Sequence, residues 1–164
     1  VTEEEIKTMM DFGVHEGTIK KDEKELVEEI FDFDETEAKE VYVPVKQMVG
    51  LQENDTLEEL INKAVKTGHS RFPVYRENKE DIVGMVLVKD ALVKDKNMPV
   101  KEIMREILKI PPKMKVDDVL RAMQKRSEHM ALVQSKEGKI IGLVTLEDLI
   151  EEIFGEIRDE HDIK

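Results

Sequence analysis

The chain has no cysteine and no tryptophan, and aromatic residues make up only 4% of its 164 positions. Without cysteine there are no disulfides and no thiolate metal sites, which suits an intracellular location. With so few aromatic rings, a core has to be built from Val, Ile, Leu and Met. No apolar run approaches the roughly 18 residues that a membrane-spanning helix needs, and no secretory leader is visible. Positive charge is in deficit as well: 26 basic residues against 38 acidic ones leave a net charge of -12 at pH 7. That balance excludes nucleic acid as a general partner, because phosphate would be repelled. It argues equally against an anionic lipid surface. His15, His69, His129 and His161 are scattered, without the His-Glu-x-x-His spacing of a zinc site. No Gly-x-Ser-x-Gly, Walker loop or Cys/His nucleophile pair occurs, so the sequence predicts no enzyme.

What is present is a balanced mixture of 40% hydrophobic and 39% charged residues, the composition of a folded, soluble chain. Its first residue is Val, so the sequence reads as a fragment or processed piece whose flanks lie elsewhere. Residues 1–40 are polar and acidic. Thr2 followed by Glu5 forms a capping box, Ile6, Met9 and Met10 fall at helical spacing, and Gly13 and Gly17 punctuate the end. A second helix follows, with Leu26, Val27, Ile30 and Phe31 on one side. Both helices need a neighbour to bury their apolar stripes.

From Val41 the texture changes and the chain repeats itself. "IVGMVLVKDAL" at 82–92 lies over "IIGLVTLEDLI" at 140–150 without a gap, matching Gly84 to Gly142 and Asp90 to Asp148. Upstream, 55–65 resembles 114–124 with a one-residue change in spacing. Each copy reads β-α-β-β-α, an α+β fold. The continuous run "IIGLV" suits a strand buried on both faces. The glycines inside these strands mark bulges or close backbone approach. The organisation expected is a helical linker at 1–40, one unit at 41–97 and a second at 98–164 that includes a C-terminal helix. The nine Met residues mostly occupy apolar positions and read as core filling. The acidic run "GEIRDEHD" at 155–162 reads as a solvated charge run rather than a cation site.

Thr145 and Asp148 carry two readings. Thr-x-x-Asp before "LIEEIF" is a capping-box variant at a helix start. The same pair also offers a ligand a carboxylate that accepts from vicinal hydroxyls, beside free helix N–H groups suited to phosphate. In the first copy Leu87 replaces the Thr and cannot cap, while Asp90 remains. "HSRFPVY" likewise reads either as a strand entry with Phe72, Val74 and Tyr75 packed, or as a ligand segment.

The paired units, with "GHSRFPVY", "IVGMVLVKDAL" and "GLVTLEDLIEEIFGEIRDEHD", resemble tandem cystathionine-β-synthase (CBS) domains, the Bateman module. More narrowly they resemble the CorC/CNNM group of magnesium transport and haemolysin-like proteins. "HEGTIKKDEKELVEEIFDFDE" is similar to the linker joining that group's membrane domain to its CBS pair. The resemblance implies a regulatory module on the cytoplasmic side that binds an adenine nucleotide, often ATP with Mg2+, and pairs into a homodimer through its helices. The membrane domain of the parent protein would lie outside this sequence. It assigns Asp148 to the ribose hydroxyls, Thr145 to the phosphate side and Arg71 to phosphate. Ser70 and the Phe72–Pro73 backbone would flank adenine and ribose. "YVPVKQM" matches the family's Met-Thr-Pro-Arg strand, with Val43 where Thr is usual and Val45 where Arg is common. Val43 would therefore offer adenine an apolar wall instead of a hydroxyl. With Leu87 in place of Thr, the first unit's own site should be the weaker, giving at most one good nucleotide site per chain. The alternative is a ligand-free module serving dimerisation only.

Overall fold

Regular elements alternate along the chain as the two periodicities require. The computed structural model describes residues 1–161, with side chains through Phe154. The structure separates into two compact units that cut across the sequence repeat. One holds Val1–Val41, Lys113–His129 and the segment from Thr145 onward; the other holds Tyr42–Pro112 and Met130–Val144.

The first unit is helical. Helix α1 (Glu3–Glu16) starts where the Thr2 hydroxyl accepts a hydrogen bond from the Glu5 N–H at 3.1 Å, and stops at Gly17 in the left-handed conformation (φ 82°). Gly13 does not punctuate it. The helix runs through Gly13, and an added Cβ there would meet Ile19 Cδ1 at 2.8 Å. This glycine lets the chain after the helix fold back on it. Helix α2 (Lys21–Phe33) packs on α1. The Lys24 ammonium pairs with Asp11 of α1 and with Glu28 at 3.3 Å, and these hydrogen bonds raise its pKa above the ordinary lysine value. The expected stripe of α2 is displaced: Leu26, Val27 and Phe31 are half-buried, Ile30 is exposed, and Phe33 is buried instead. α2 finds its neighbour in α6 (Leu146–His161), against which it packs, whereas on α1 only Met10 of the expected stripe is buried and Ile6 and Met9 stay exposed.

Helix α5 (Val116–Arg126) buries Val116, Val119 and Met123, one face of a 3.6-residue period. It also packs on α6. Two backbone bonds fasten the linker beside it: the Ala38 N–H donates to the Met114 carbonyl at 2.8 Å, and the Val116 N–H to the Thr36 carbonyl at 2.9 Å. Among the described residues, no helix is long and apolar enough to cross a membrane.

The second unit holds the strands. Its larger sheet has the order β1 (Val43–Pro44), β7 (Ile140–Thr145), β6 (Met130–Gln134), β5 (Leu108–Ile110). The smaller sheet runs β2 (Leu51–Gln52), β3 (Arg71–Tyr75), β4 (Ile82–Leu87), and carries helices α3 (Leu57–Thr67) and α4 (Val88–Ala91). In each repeat the first two strands pair in parallel, β2 with β3 and β5 with β6, across an intervening helix. One cluster joins the strands of both repeats: Met85 and Leu87 pack with Met130, Leu132, Ile140 and Leu143. Another belongs to the first repeat, where Leu57, Leu60, Phe72, Val74 and Val86 lie at 0% exposure. The aliphatic core expected from the missing aromatics is thus the one found. Burial of such side chains stabilises the fold by about 1.5–3 kcal/mol each.

Candidate functional site

Each copy of the repeat ends in a strand that runs into a helix, and these ends carry the candidate residues. In the second repeat, β7 runs directly into α6. Thr145 caps that helix: its hydroxyl accepts a hydrogen bond from the Asp148 N–H at 3.1 Å. The Leu146 N–H donates to the His129 carbonyl at 2.9 Å, which fixes the strand-to-helix corner. Both Thr145 and Asp148 are half-buried. The capping reading of the pair is therefore realised, and it uses the Asp148 backbone, leaving the carboxylate to other tasks. Among the described residues, that carboxylate makes no side-chain hydrogen bond or ion pair. Glu147 lies beside it in sequence, 3.8 Å from His129 Nδ1. α6 extends over 16 residues, long enough to build a macrodipole whose positive end faces this corner.

The other candidates sit in the strand unit. Ser70 is exposed and immediately precedes β3, where its carbonyl accepts from the Val88 N–H at 3.0 Å. Arg71 is half-buried and lies opposite Leu87 in the β3–β4 ladder. Phe72 and Pro73 are buried, so the Phe72 side chain is core and only its backbone faces any other role. β2 pairs with Val74 and Tyr75 alone, and its register stops short of Arg71–Pro73. Edge contact between His69 and Phe72, with ring centroids 5.9 Å apart, anchors the entry to the strand. Val43 is half-buried in β1, opposite Leu143 of β7.

Gly142 explains why β1 can lie where it does. A Cβ at Gly142 would fall on the Val43 carbonyl oxygen and the Tyr42 ring. The same device recurs in the first repeat, where a Cβ at Gly84 would come within 2.7 Å of the Arg105 carbonyl oxygen. Both glycines mark close backbone approach, as their place inside strands implied, and a bulge adjoins Gly84: Val74 pairs with Gly84 and Tyr75 with Ile82, which leaves Val83 as the extra residue.

The first repeat closes differently. Leu87 is buried at the end of β4 and supplies no side-chain cap to α4, which is four residues long. Asp90 receives two hydrogen bonds from Arg105, at 2.8 Å from Nε and 2.9 Å from Nη2. Arg105 is a residue that the sequence reasoning passed over. Its signal lay in the repeat extended upstream: Arg105 lies opposite Met85, and Val43 lies opposite Leu143, the repeat equivalent of Met85. The two residues hold the same register position. The side chains of the acidic run at 155–162 lie outside the described residues.

Comparison with known proteins gives this arrangement a family. Residues 38–96 and 100–155 each match the CBS domain family. A UPF0053 protein of Mycobacterium tuberculosis, Rv2366c, is 37% identical over 98% of this chain and 39% of its own length. The magnesium and cobalt efflux protein CorC of Escherichia coli is 33% identical over 88% of this chain and 51% of its own. The chain thus spans between about two-fifths and half of these curated relatives. Among solved structures, the CBS domain of a bacterial CNNM/CorC family Mg2+ transporter superposes with a TM-score of 0.85 at 36% identity, covering 94% of this chain and 97% of that one. A structure of the CBS domain of the bacterial CNNM/CorC family Mg2+ transporter in complex with ATP matches with a TM-score of 0.75 at 36% identity, over 81% and 97% of the two chains. A repeated strand-helix unit, its matched glycine crossings and these likenesses agree: the chain is a tandem pair of CBS domains and belongs to the CNNM/CorC magnesium transporter family.

Proposed function

We propose that this CBS pair is a regulatory module that binds one adenine nucleotide, ATP with Mg2+, at the end of its second repeat. The observation that carries the reading is the difference between two equivalent acids. Asp90 is held by Arg105, whereas Asp148 has no side-chain partner among the described residues. A carboxylate in that state can accept from the two ribose hydroxyls, and the start of a long capped helix suits phosphate. The ATP complex of a related CBS domain supports the choice of ligand. Thr145 and Asp148, with Val43, Ser70, Arg71 and the Phe72–Pro73 backbone, are the residues we assign to it. The units are the linker at 1–40 and the CBS repeats at 41–97 and 98–164. Nucleotide would favour one arrangement of the repeats, and the linker would pass that bias to a membrane domain of the parent protein, with this module on the cytoplasmic side.

Magnesium enters through charge. Glu147, Asp148, Glu151 and Glu152 crowd the first turns of α6, and like charges at short range cost on the order of a kcal/mol each where screening is partial. A cation would neutralise part of the triphosphate and bridge it to an acid. Calorimetry on the 164-residue chain tests both statements. One ATP per chain is expected, tighter by at least about tenfold (roughly 1.4 kcal/mol) with Mg2+ than with EDTA. AMP, with less charge to neutralise, should respond much less. Two equivalent sites, or none, would overturn the reading; equal ATP affinity in both conditions would remove its magnesium part.

A second reading, a dimerisation module without ligand, is favoured by the apolar residues left on the helical side of the first repeat. Val65, Leu92 and Val93 are 82%, 60% and 87% exposed. A homodimer with no nucleotide response in calorimetry would select it.

A further inference from the structure

We propose that Arg105 is the residue that restricts the module to a single nucleotide, by occupying in the first repeat the acid that the second repeat offers to ligand. The inference rests on the nucleotide reading above and concerns the other end of the pseudo-symmetric pair. Asp90 and Asp148 are equivalent by the ungapped match of 82–92 with 140–150. Arg105 and Val43 are equivalent by register, lying opposite Met85 and Leu143. Only their side chains differ. At the first position the Arg105 guanidinium, through Nε and Nη2, donates to both oxygens of Asp90. This fork-on-fork geometry directs two donors to one carboxylate, as two vicinal ribose hydroxyls would.

Two further features point the same way. The Arg105 backbone is fixed, because its N–H donates to the Met85 carbonyl at 2.8 Å and its carbonyl accepts from the Met85 N–H at 2.9 Å. The guanidinium therefore starts from an anchored strand-like segment. Leu87 fills the position of the capping Thr145 with a buried side chain. The first repeat is thus closed by its own sequence, and Arg105 is the specificity-determining residue because it removes the one group there that recognises a ribose. α4 is a single turn, so a vacated first position would take a nucleoside through Asp90 rather than a phosphate through the helix.

Adenosine titrated into the full chain, followed through backbone amides by NMR, decides the matter. In the wild type, amides at 145–149 should shift and those at 87–91 should not. In the double variant Leu87→Thr/Arg105→Val, saturable shifts should appear at 87–91 and 104–106 as well. Absence of those new shifts in the folded variant, or their presence in the wild type, overturns the proposal. Should the double variant fail to fold, Arg105→Gln, which is shorter and loses the charge, is read in the same way. Failure of the nucleotide reading is distinguishable, because it shows as silence at 145–149 whatever happens at 87–91.

Discussion

The two ends of the CBS pair carry the same acid, Asp90 in one and Asp148 in the other, and differ at two matched positions: Leu87 answers to Thr145, and Arg105 to Val43. The strand-to-helix corner is held by the same bond in each, from the Val88 N–H to the Ser70 carbonyl and from the Leu146 N–H to the His129 carbonyl. A glycine admits the crossing segment in each. Yet one acid ends in an ion pair and the other has no side-chain partner among the described residues. Duplication supplies two equal corners, and which of them can serve a ligand is then a matter of single substitutions.

The largest test of the comparison removes the crossings themselves. Gly142→Ala would drive a Cβ into the Val43 carbonyl and Tyr42, so backbone must move; a loss of about 3 kcal/mol is expected, the upper range for overpacking. At Gly84 the nearest atom is Met104 Cγ, at 2.5 Å, and that side chain can swing away, although the Arg105 carbonyl cannot. Gly84→Ala should cost less, about 2 kcal/mol. Urea unfolding with unchanged m-values would check both. Equal losses would mean that the two crossings are not distinguished by the flexibility of Met104.

Next comes the acid pair. Asp148→Ala should weaken nucleotide binding by about 1.5–3 kcal/mol, the scale of hydrogen bonds to a charged group, while Asp90→Ala leaves affinity unchanged. Titration of both variants, with melting curves recorded without nucleotide, separates ligand from cap. If Asp148→Ala lowers stability and leaves affinity intact, the carboxylate serves only the helix.

Thr145→Ala addresses the cap directly. Loss of the acceptor for the Asp148 N–H should cost about 1 kcal/mol of stability, and Thr145→Ser should restore it. Thermal unfolding of the two variants, without ligand, makes the measurement.

The smallest effect belongs to the closed end. Arg105 and Asp90 are 51% and 24% exposed at the side chain, so their pair is screened by water. A double-mutant cycle with Arg105→Gln and Asp90→Asn should return no more than about 1 kcal/mol at low salt, and less at high salt. A larger coupling would make the pair a structural clasp rather than an occupant.

Much of this was legible beforehand because periodicity and repetition are local signals. The ungapped match of 82–92 with 140–150 placed β4, β7 and the helix starts, and Thr2, Thr145 and Gly17 all take the capping roles their types imply. Gly13 misled for a definite reason. Its chemistry signals a helix end, yet here it is selected by the approach of Ile19, a contact the sequence does not display. The buried Phe33 and exposed Ile30 escaped for a similar reason, since which side of α2 is covered depends on where α6 packs.

Sequence alone determined the aliphatic core, the doubled strand-helix unit and the helix caps, because each follows from residue type and spacing within one stretch of chain. Only tertiary structure decided that Val43 and Pro44 pair with β7 of the second repeat while Arg105 meets β4 of the first. That exchange brings Arg105 to Asp90 across 15 residues of sequence. A charge-pair partner is chosen by register and distance in space, and neither is written in the order of residues along the chain.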